Sequence, residues 1–512
     1  MSDRHPLRGG LLGLLLTACL GLAACDQHSE TAAALPVPTE ETVATPAESG
    51  QAIAKEADEQ QTRLESLDEL DSKPLPRRAL DIQSWETRGG ARVLFVEAHQ
   101  LPMFDLRLTF AAGSSQDGGV PGLAMLTNAM LNEGVEGKDV TAIAQAFEGL
   151  GAEFGNGSYR DMAVASLRSL SAPDKRQPAL DLFGQVVGQP TFPKDSLQRI
   201  KNQVLAGFEF QKQNPGKLAS LELFEQLYQT HPYAHPSEGT PASIPGIDAA
   251  QLRAFHDKAY TAGNAVIALV GDLDRPTAEA IAEQLSAALP QGPALPAPPT
   301  PQEPVAGRHR IDYPSNQTHL MLAQLGIARG DPDYAALYLG NQILGGGGFG
   351  TRLMEEVREK RGLTYGVYSG FSPMQAEGPF MINLQTRAEL SEATLDLVQR
   401  LVDEYLQQGP TQAELDRSKR EIAGSFPLST ASNADIVGQL GSIGFYHLPL
   451  TYLEDFMQQI QALTVEEVKT AMNKHLTADQ FVIVTAGPKV DQLPLPAPSD
   501  TPVTPPSGVP EH

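Results

Sequence analysis

The chain contains 512 residues, enough for two large domains or about three ordinary ones. With 62 acidic and 38 basic residues its formal net charge is −24, which argues against nucleic-acid binding because phosphate backbones would be repelled. Its two cysteines argue against a disulfide scaffold and a Cys-rich zinc module. A hydrophobic content of 41% is sufficient for a packed core.

The N-terminus has the pattern of a targeting segment. A basic start with Arg4 and Arg8 precedes an apolar run over 11–24, which is shorter than the roughly 20 residues of a spanning helix. The run ends in Leu-Ala-Ala-Cys25, which resembles a bacterial lipobox, so we expect lipidation at Cys25. An ordinary secretory signal that contains a cysteine is the alternative. Asp26 resembles an inner-membrane retention signal, so a periplasmic, lipid-anchored protein is expected, with the inner membrane slightly favoured.

Composition and Pro-rich stretches divide the rest of the chain. Acidic and polar residues indicate a solvated tether, and proline clusters indicate a hinge and a tail. The expected segments are a signal peptide at 1–24, a disordered tether at 25–77, an N-terminal domain at 78–289, a linker at 290–305, a C-terminal domain at 306–490 and a disordered tail at 491–512.

In the first domain, apolar patterning predicts strands at the two ends and helices between them. The predicted strands are 92–97, 104–112, 153–159, 162–170 and 266–270. The predicted helices are 121–132, 140–150, 175–188, 194–213, 217–228, 248–260 and 276–288.

The second domain repeats this order of elements. The predicted strands are 319–325, 364–371, 380–384 and 481–485, with a helix at 333–344. The segment 474–487 parallels 258–271, and 340–344 parallels 127–131, at nearly the same spacing. The chain is therefore expected to be α+β, with two homologous domains that each pack a mostly antiparallel sheet with helices.

A motif in the first domain has the form Gly-Leu-Ala-Met125-Leu-Thr-Asn128-Ala129-Met-Leu. It resembles the pitrilysin/insulinase family of metallopeptidases, the inverted zincins, whose motif is Gly-Leu-Ala-His-x-x-Glu-His-Met-Leu. In that family the two histidines hold zinc, the glutamate activates water and a downstream glutamate is the third ligand. Here Met125, Asn128, Ala129 and Ala206 stand at those four positions. The resemblance implies that this chain has no zinc site and no cofactor of its own.

The family signature of the second domain is intact in Arg358-Glu-Lys-Arg-Gly-Leu-Thr-Tyr365. In the family, an Arg and a Tyr at this spacing contact the substrate carbonyl and stabilise the oxyanion. A guanidinium and a phenol are fixed donors suited to that task. The alternative is a surface ion pair for Arg358, with a local acid such as Glu355, and a core position for Tyr365.

Three other patterns are weaker. His231 and His235 have the spacing of a zinc pair, but two intervening or adjacent prolines favour a turn. The run Gly345–Gly348 lacks the Gly-Lys-Ser/Thr of a P-loop and suits a helix stop. It also resembles the Gly-rich loop of the non-catalytic mitochondrial processing subunit, so Gly346, Gly347 and Gly348 are a candidate substrate loop. The flat strand 153–159 is either a peptide-accepting sheet edge or an ordinary Gly-rich hairpin.

The leading hypothesis is a subunit of a composite zinc metalloendopeptidase. This chain would donate Arg358 and Tyr365 to a homologous chain that bears an intact His-x-x-Glu-His motif and the zinc, as in heterodimeric bacterial peptidases of this family. Its substrates would be peptides. The main alternative is a non-catalytic binding or scaffold protein of the same fold. A self-sufficient peptidase with an unconventional metal site is the third possibility.

Overall fold

The structure is a computed structural model that describes residues 80–499. The predicted signal peptide, the lipidation site Cys25, the tether and residues 500–512 lie outside the described residues. Within 80–499, no helix combines the length and apolar composition needed to cross a membrane.

The strands fall into two large sheets and one small hairpin. Their bounds are β1 (Gln83–Glu86), β2 (Arg92–Glu97), β3 (Met103–Phe110), β4 (Gly134–Val135), β5 (Lys138–Asp139), β6 (Glu153–Ser158), β7 (Ala163–Leu170), β8 (Ala265–Gly271), β9 (Gly307–Asp312), β10 (Gln317–Leu325), β11 (Val367–Phe371), β12 (Pro379–Arg387) and β13 (Val482–Gly487).

The helices lie mainly between the strands of each sheet in sequence. Their bounds are α1 (Leu123–Ala129), α2 (Val140–Leu150), α3 (Pro173–Gly188), α4 (Lys194–Gln211), α5 (Pro215–Tyr228), α6 (Ala249–Ala259), α7 (Arg275–Ala288), α8 (Tyr334–Asn341), α9 (Ser391–Gln408), α10 (Gln412–Ser425), α11 (Asn433–Phe445), α12 (Tyr452–Ala462) and α13 (Val465–His475). Two π-helical segments, Gln342–Gly346 and Met354–Glu359, flank the glycine run of the second domain.

The two sheets have the same topology. The first has the order β1-β2-β8-β3-β7-β6 and the second β11-β12-β10-β13-β9. Each sheet is antiparallel except for one pair, β2 with β8 and β9 with β13. Without β1, the strands of the first sheet match those of the second one by one, in chain order and in sheet order. This match confirms the predicted α+β fold with two homologous domains.

One helix of each domain packs on the outer face of the other domain's sheet. Helix α11 lies on β2, β3 and β8, where Leu440 and Ile443 pack against Leu94 and Val266. Helix α5 lies in the corresponding place on β10 and β13. Burial of a single Leu or Ile side chain stabilises by about 1.5–3 kcal/mol, so this exchange ties the two domains together firmly.

The structure adds two edge strands to the predicted elements. β1 and β9 each lie at the edge of a sheet and were not predicted, since their sequences, Gln-Ser-Trp-Glu and Gly-Arg-His-Arg-Ile-Asp, are largely polar. An edge strand is held by backbone hydrogen bonds to one neighbour and needs no continuous apolar face. The helix predicted at 121–132 is also shorter, because α1 ends at Ala129 and a 3-10 turn, Leu131–Glu133, follows.

The linker and the start of the tail lie against the folded body. Residues 290–306 form neither helix nor strand, yet the Pro296 carbonyl accepts a hydrogen bond from Gln116 Nε2 at 2.9 Å. The disordered tail was predicted from residue 491, but 491–499 contact the second domain. Leu493 N donates to Glu389 O at 2.7 Å, and Ser499 N donates to Lys360 O at 2.8 Å. These backbone hydrogen bonds hold residues 491–499 against the second domain.

Candidate functional site

The degenerate motif lies on α1, whose N-terminus is held by a buried carboxylate. Asp117 accepts hydrogen bonds from Gly122 N at 2.9 Å and from Ala124 N at 2.7 Å. His235 Nδ1 lies 3.8 Å from the same carboxylate. Burial raises the pKa of Asp117 to about 7, against the two backbone hydrogen bonds, which lower it. The carboxylate thus caps the first turn of the helix from within the core.

The four positions at which the family has its zinc ligands and general base lie on two adjacent helices, α1 and α4. Met125 is half-buried and packs against the first domain's core, and Ala129 is half-buried one turn later. Ala206 is exposed on α4. Asn128 is 2% exposed and faces the sheet.

Asn128 has a structural role at the position of the family's general base. Its Nδ2 donates to Val164 O at 3.1 Å and to Tyr260 Oη at 3.2 Å. Its backbone carbonyl accepts from Asn156 Nδ2 at 2.7 Å. The side chain therefore ties α1 to β7 and to the C-terminus of α6, and the backbone carbonyl ties it to the edge strand β6.

These residues do not fit a zinc ion. Zinc in proteins is held by imidazole, thiolate or carboxylate donors. The four positions offer a thioether, two methyl groups and an amide that is already hydrogen-bonded. A thioether is a poor partner for Zn²⁺ compared with imidazole, so the site has no adequate ligand.

The histidine pair His231 and His235 is not a metal site in this fold. Both ring nitrogens of His231 have partners, since Nε2 lies 2.7 Å from Pro299 O and Nδ1 accepts from Tyr233 N at 3.1 Å. The pair lies in a turn beyond α5, as the prolines indicate. Nδ1 of His235 lies 3.2 Å from Pro236 O.

Within 80–499, one group of three potential metal ligands comes close together: Asp331, Asp333 and His475. Asp333 Oδ2 lies 2.6 Å from Lys474 Nζ and 2.8 Å from His475 Nε2. The ammonium group and the imidazole lower the pKa of Asp333. This group is an ion-pair cluster between the N-terminus of α8 and the C-terminus of α13.

Arg358 lies on the π-helical segment Met354–Glu359 and has no carboxylate partner among the described residues. Two of the nearby acids, Glu355 and Glu356, are paired elsewhere. Lys360 Nζ lies 2.8 Å from Glu355 and 2.6 Å from Glu356, and Arg361 also binds Glu356. The surface-ion-pair alternative for Arg358 therefore has no support in the geometry.

The guanidinium of Arg358 instead stacks on an aromatic ring at the tip of the glycine loop. Its Cζ lies 4.6 Å from the centre of the Phe349 ring, which is 70% exposed. Phe349 is flanked by Gly348 and Gly350, whose φ angles are +74° and +79°, a region that favours glycine.

The three glycines of the candidate substrate loop, Gly346, Gly347 and Gly348, differ in their surroundings. A Cβ on Gly347 would lie 2.7 Å from Gln342 O, and one on Gly346 would collide with the Asn341 amide. These two glycines are therefore explained by packing at the end of a π-helical turn. Gly348 faces open space, so only the tip of the loop is available to a ligand.

Tyr365 is exposed in a short turn. The Thr364 hydroxyl accepts from Gly366 N at 3.1 Å and donates to Gly366 O at 2.8 Å, which fixes the backbone on both sides of Tyr365. The ring is 58% exposed, and its hydroxyl has no hydrogen-bond partner in the described chain. The core position considered as the alternative for Tyr365 is therefore wrong.

Beside Tyr365 the structure reveals a cleft that was not predicted. Its volume is about 360 Å³, and its lining includes His319, Tyr368, Asn383 and Gln385. The available signal was the alternation of polar and apolar residues along the predicted strands 319–325 and 380–384. With period 2, those polar residues lie on the face opposite the core.

Comparisons with known proteins show the family to which the chain belongs. The family model described as Insulinase (Peptidase family M16) matches residues 92–241, and the model described as Peptidase M16 inactive domain matches 246–422. A solved peptidase M16 inactive domain from Pseudomonas fluorescens is 74% identical, with a TM-score of 0.80, and covers 81% of this chain and 100% of its own.

Proteins of lower identity are also similar to this chain. The non-peptidase homolog YmxG of Helicobacter pylori is 28% identical over 404 residues, which cover 77% of this chain and 91% of that protein. A solved protease from Helicobacter pylori has a TM-score of 0.74 at 19% identity, covering 80% of this chain and 100% of its own. The chain belongs to the insulinase family, peptidase family M16, as an inactive homologue that lacks the zinc ligands.

Proposed function

We propose that this chain is the metal-free subunit of a composite zinc peptidase. It donates Arg358 and Tyr365 to a site whose zinc and general base lie on a homologous chain with an intact His-x-x-Glu-His motif. The proposal rests on one observation: Arg358 has no carboxylate partner among the described residues. Glu355 and Glu356 pair with Lys360 and Arg361, and among the described residues the guanidinium of Arg358 contacts the Phe349 ring and no carboxylate.

The two donors suit the stabilisation of a negatively charged oxygen. A guanidinium keeps its charge at any working pH, and a phenol can donate one hydrogen bond. Both can bind the carbonyl oxygen of a peptide and hold it as negative charge develops there. The partner's zinc would supply the activated water. In this division of work, the chain described here orients the substrate and stabilises the oxyanion.

The predicted lipid anchor supports a location for the complex. Lipidation at Cys25 would hold the folded body on the periplasmic side of a bacterial membrane, and Asp26 favours the inner membrane. The acidic segment 25–77 would then separate the lipid from the peptidase body. Fractionation of cells that express the chain or its Cys25→Ala variant tests this. The variant should move from the membrane fraction to the soluble periplasm.

The test of the composite site begins with the metal content. The purified chain, prepared without chelator, should contain no bound zinc. One tightly bound zinc per chain would contradict the proposal. The chain is then mixed with the His-x-x-Glu-His homologue of the same organism, and peptide hydrolysis is measured. Activity should require both chains and should disappear on chelation.

Substitutions then test whether the two donors contribute to kcat while other surface residues do not. Arg358→Ala and Tyr365→Phe should each lower kcat by about a hundredfold or more, as expected for the loss of one oxyanion donor. Arg400→Ala and Tyr338→Phe, which change an exposed Arg and a partly exposed Tyr elsewhere, should leave kcat unchanged. Gel filtration must show that each variant still assembles. Full activity in Arg358→Ala would disprove the donor role.

A non-catalytic scaffold is the second candidate function. The names of two similar proteins, a non-peptidase homolog and an inactive domain, favour it. Asn128 also favours it, because the position of the general base now holds the core together. A scaffold would assemble with its partner and remain indifferent to Arg358→Ala and Tyr365→Phe in every functional readout.

A further inference from the structure

The outer face of the second sheet is only partly covered. Helix α5 packs on β10 and β13, where it covers residues such as Val484 and Ala486. Strands β12 and β11 lie beyond the helix, at the other side of the sheet. The cleft beside Tyr365, with a volume of about 360 Å³, lies where this cover ends. Its lining combines His319 and Met321 of β10 with Tyr368 of β11 and with Asn383 and Gln385 of β12.

Strand register explains which side chains line the cleft. His319 of β10 is the cross-strand partner of Gln385 of β12, and Asn383 pairs with both Met321 and Tyr368. Side chains directly opposite each other lie on the same face of a sheet, so these five residues form one continuous surface. Their neighbours along the strands point into the core of the second domain.

The chemistry of this surface is polar but uncharged. Among residues 80–499, the imidazole of His319 is the only acidic or basic side chain that lines the cleft. Burial lowers the pKa of His319, so its ring is neutral at neutral pH. The side chains of His319, Asn383 and Gln385 make no hydrogen bond to any other residue of the described chain. A concave surface on which a few free polar groups converge is the usual form of a small binding site.

We propose that this cleft is a specificity pocket for an uncharged, hydrogen-bonding substrate side chain, selected by His319, Asn383 and Gln385, next to the carbonyl that Tyr365 contacts. This inference rests on the proposed function. Residues of an extended peptide are spaced about 3.3 Å apart, so a carbonyl at Tyr365 places a neighbouring side chain over the cleft. A glutamine or asparagine side chain can use the free donors and acceptors.

A charged substrate side chain is disfavoured in this pocket. An ammonium or carboxylate group that enters the cleft loses part of its hydration and meets no opposite charge. We therefore expect peptides with glutamine at one position near the cleaved bond to react faster than the same peptides with lysine or glutamate. The volume suits one side chain rather than a folded element.

Charge-introducing variants test the pocket in the reconstituted complex. The substrates are fluorogenic peptides that differ only in whether glutamine, lysine or glutamate occupies each position around the cleaved bond. Gln385→Glu should raise the ratio of lysine to glutamine kcat/KM at one position by about tenfold. Asn383→Asp, at an exposed position that tolerates change, should shift it in the same direction. Gln461→Glu, exposed at the end of α12, is the matched control and should shift nothing.

The outcomes separate the two proposals. If Tyr365→Phe lowers activity but neither acidic variant changes the ratio at any position, the pocket is disproved and the composite site stands. A wild-type complex that prefers lysine or glutamate at the position where the variants act would also disprove the pocket's selectivity. If the two chains hydrolyse no peptide at all, the proposed function fails and the pocket fails with it.

Discussion

Asp161 and Tyr233 form a buried hydrogen bond where the two domains meet. Asp161 lies in the turn between β6 and β7, and its other carboxylate oxygen accepts from Gln375 N at 2.7 Å. Gln375 lies in the turn between β11 and β12, which is the equivalent turn of the second domain. The duplicated hairpins thus meet tip to tip, with one carboxylate between them.

We expect Asp161→Ala to destabilise the protein strongly. Asp161 is 3% exposed, and its loss leaves the Tyr233 hydroxyl and the Gln375 amide buried without an acceptor. Each unpaired group costs about 1–3 kcal/mol, so the free energy of unfolding should fall by about 2–5 kcal/mol. Urea denaturation measures it. Asp81→Ala, at an exposed position, is the control, and equal stability of the two variants would contradict the role.

Replacing Asn128 with glutamate, the family's general base, should lower the free energy of unfolding. Asn128→Glu replaces an amide donor with a carboxylate that faces the Val164 carbonyl, so two acceptors oppose each other. Asn128→Ala removes both side-chain hydrogen bonds without adding charge. We expect a loss of about 1–3 kcal/mol for the alanine variant and more for the glutamate variant. Thermal denaturation at one pH compares them. A glutamate variant as stable as wild type would show that the side chain can turn away from β7.

Glycine in α11 permits the close contact between this helix and the first sheet. A Cβ on Gly444 would lie 2.8 Å from Leu94 Cδ1 and still closer to Val266, so the helix must move away from the sheet. Gly444→Ala should therefore destabilise by about 1–3 kcal/mol. Gly438→Ala on the same helix is the matched control, because nothing lies within 4 Å of its new Cβ. In the control, helix propensity should give a gain of up to about 1 kcal/mol.

The buried carboxylate of Asp117 should make stability depend on pH. Its pKa is raised to about 7 in the folded protein and lies near 4 in the unfolded chain, about its ordinary value. The folded state then holds the proton more tightly, so this group's stabilisation is complete below about pH 4 and is lost as the pH rises to about 7.

The Asp117→Asn variant isolates this effect. Between about pH 5 and pH 8, its unfolding free energy should change less than that of the wild type. Asp139→Asn, at the exposed N-cap of α2, controls for the loss of a capping carboxylate. Parallel pH profiles for the wild type and Asp117→Asn would mean that Asp117 titrates near its ordinary value.

Much of the fold could be predicted because its strands and helices have clear periodicity. The strand β2 and the helix α2 have the predicted bounds, since each combines a run of apolar residues with turn residues at its ends. The polar strand β9 could not be predicted, because it is held by backbone pairing with β13. The pocket residues His319 and Gln385 were hidden for a related reason. They lie on the outer face of strands whose other face builds the core.

The sequence by itself determined the duplicated α+β fold, the loss of the zinc ligands at Met125, Asn128, Ala129 and Ala206, and the surviving Arg358 and Tyr365. These properties depend on which residue types stand in a local pattern. Only the tertiary structure decided which of these side chains already form hydrogen bonds or ion pairs within the fold. Asn128 donates hydrogen bonds to Val164 and Tyr260, whereas Arg358 has no carboxylate partner within residues 80–499. Such pairing depends on distances between segments far apart in the chain, and local sequence patterns do not encode those distances.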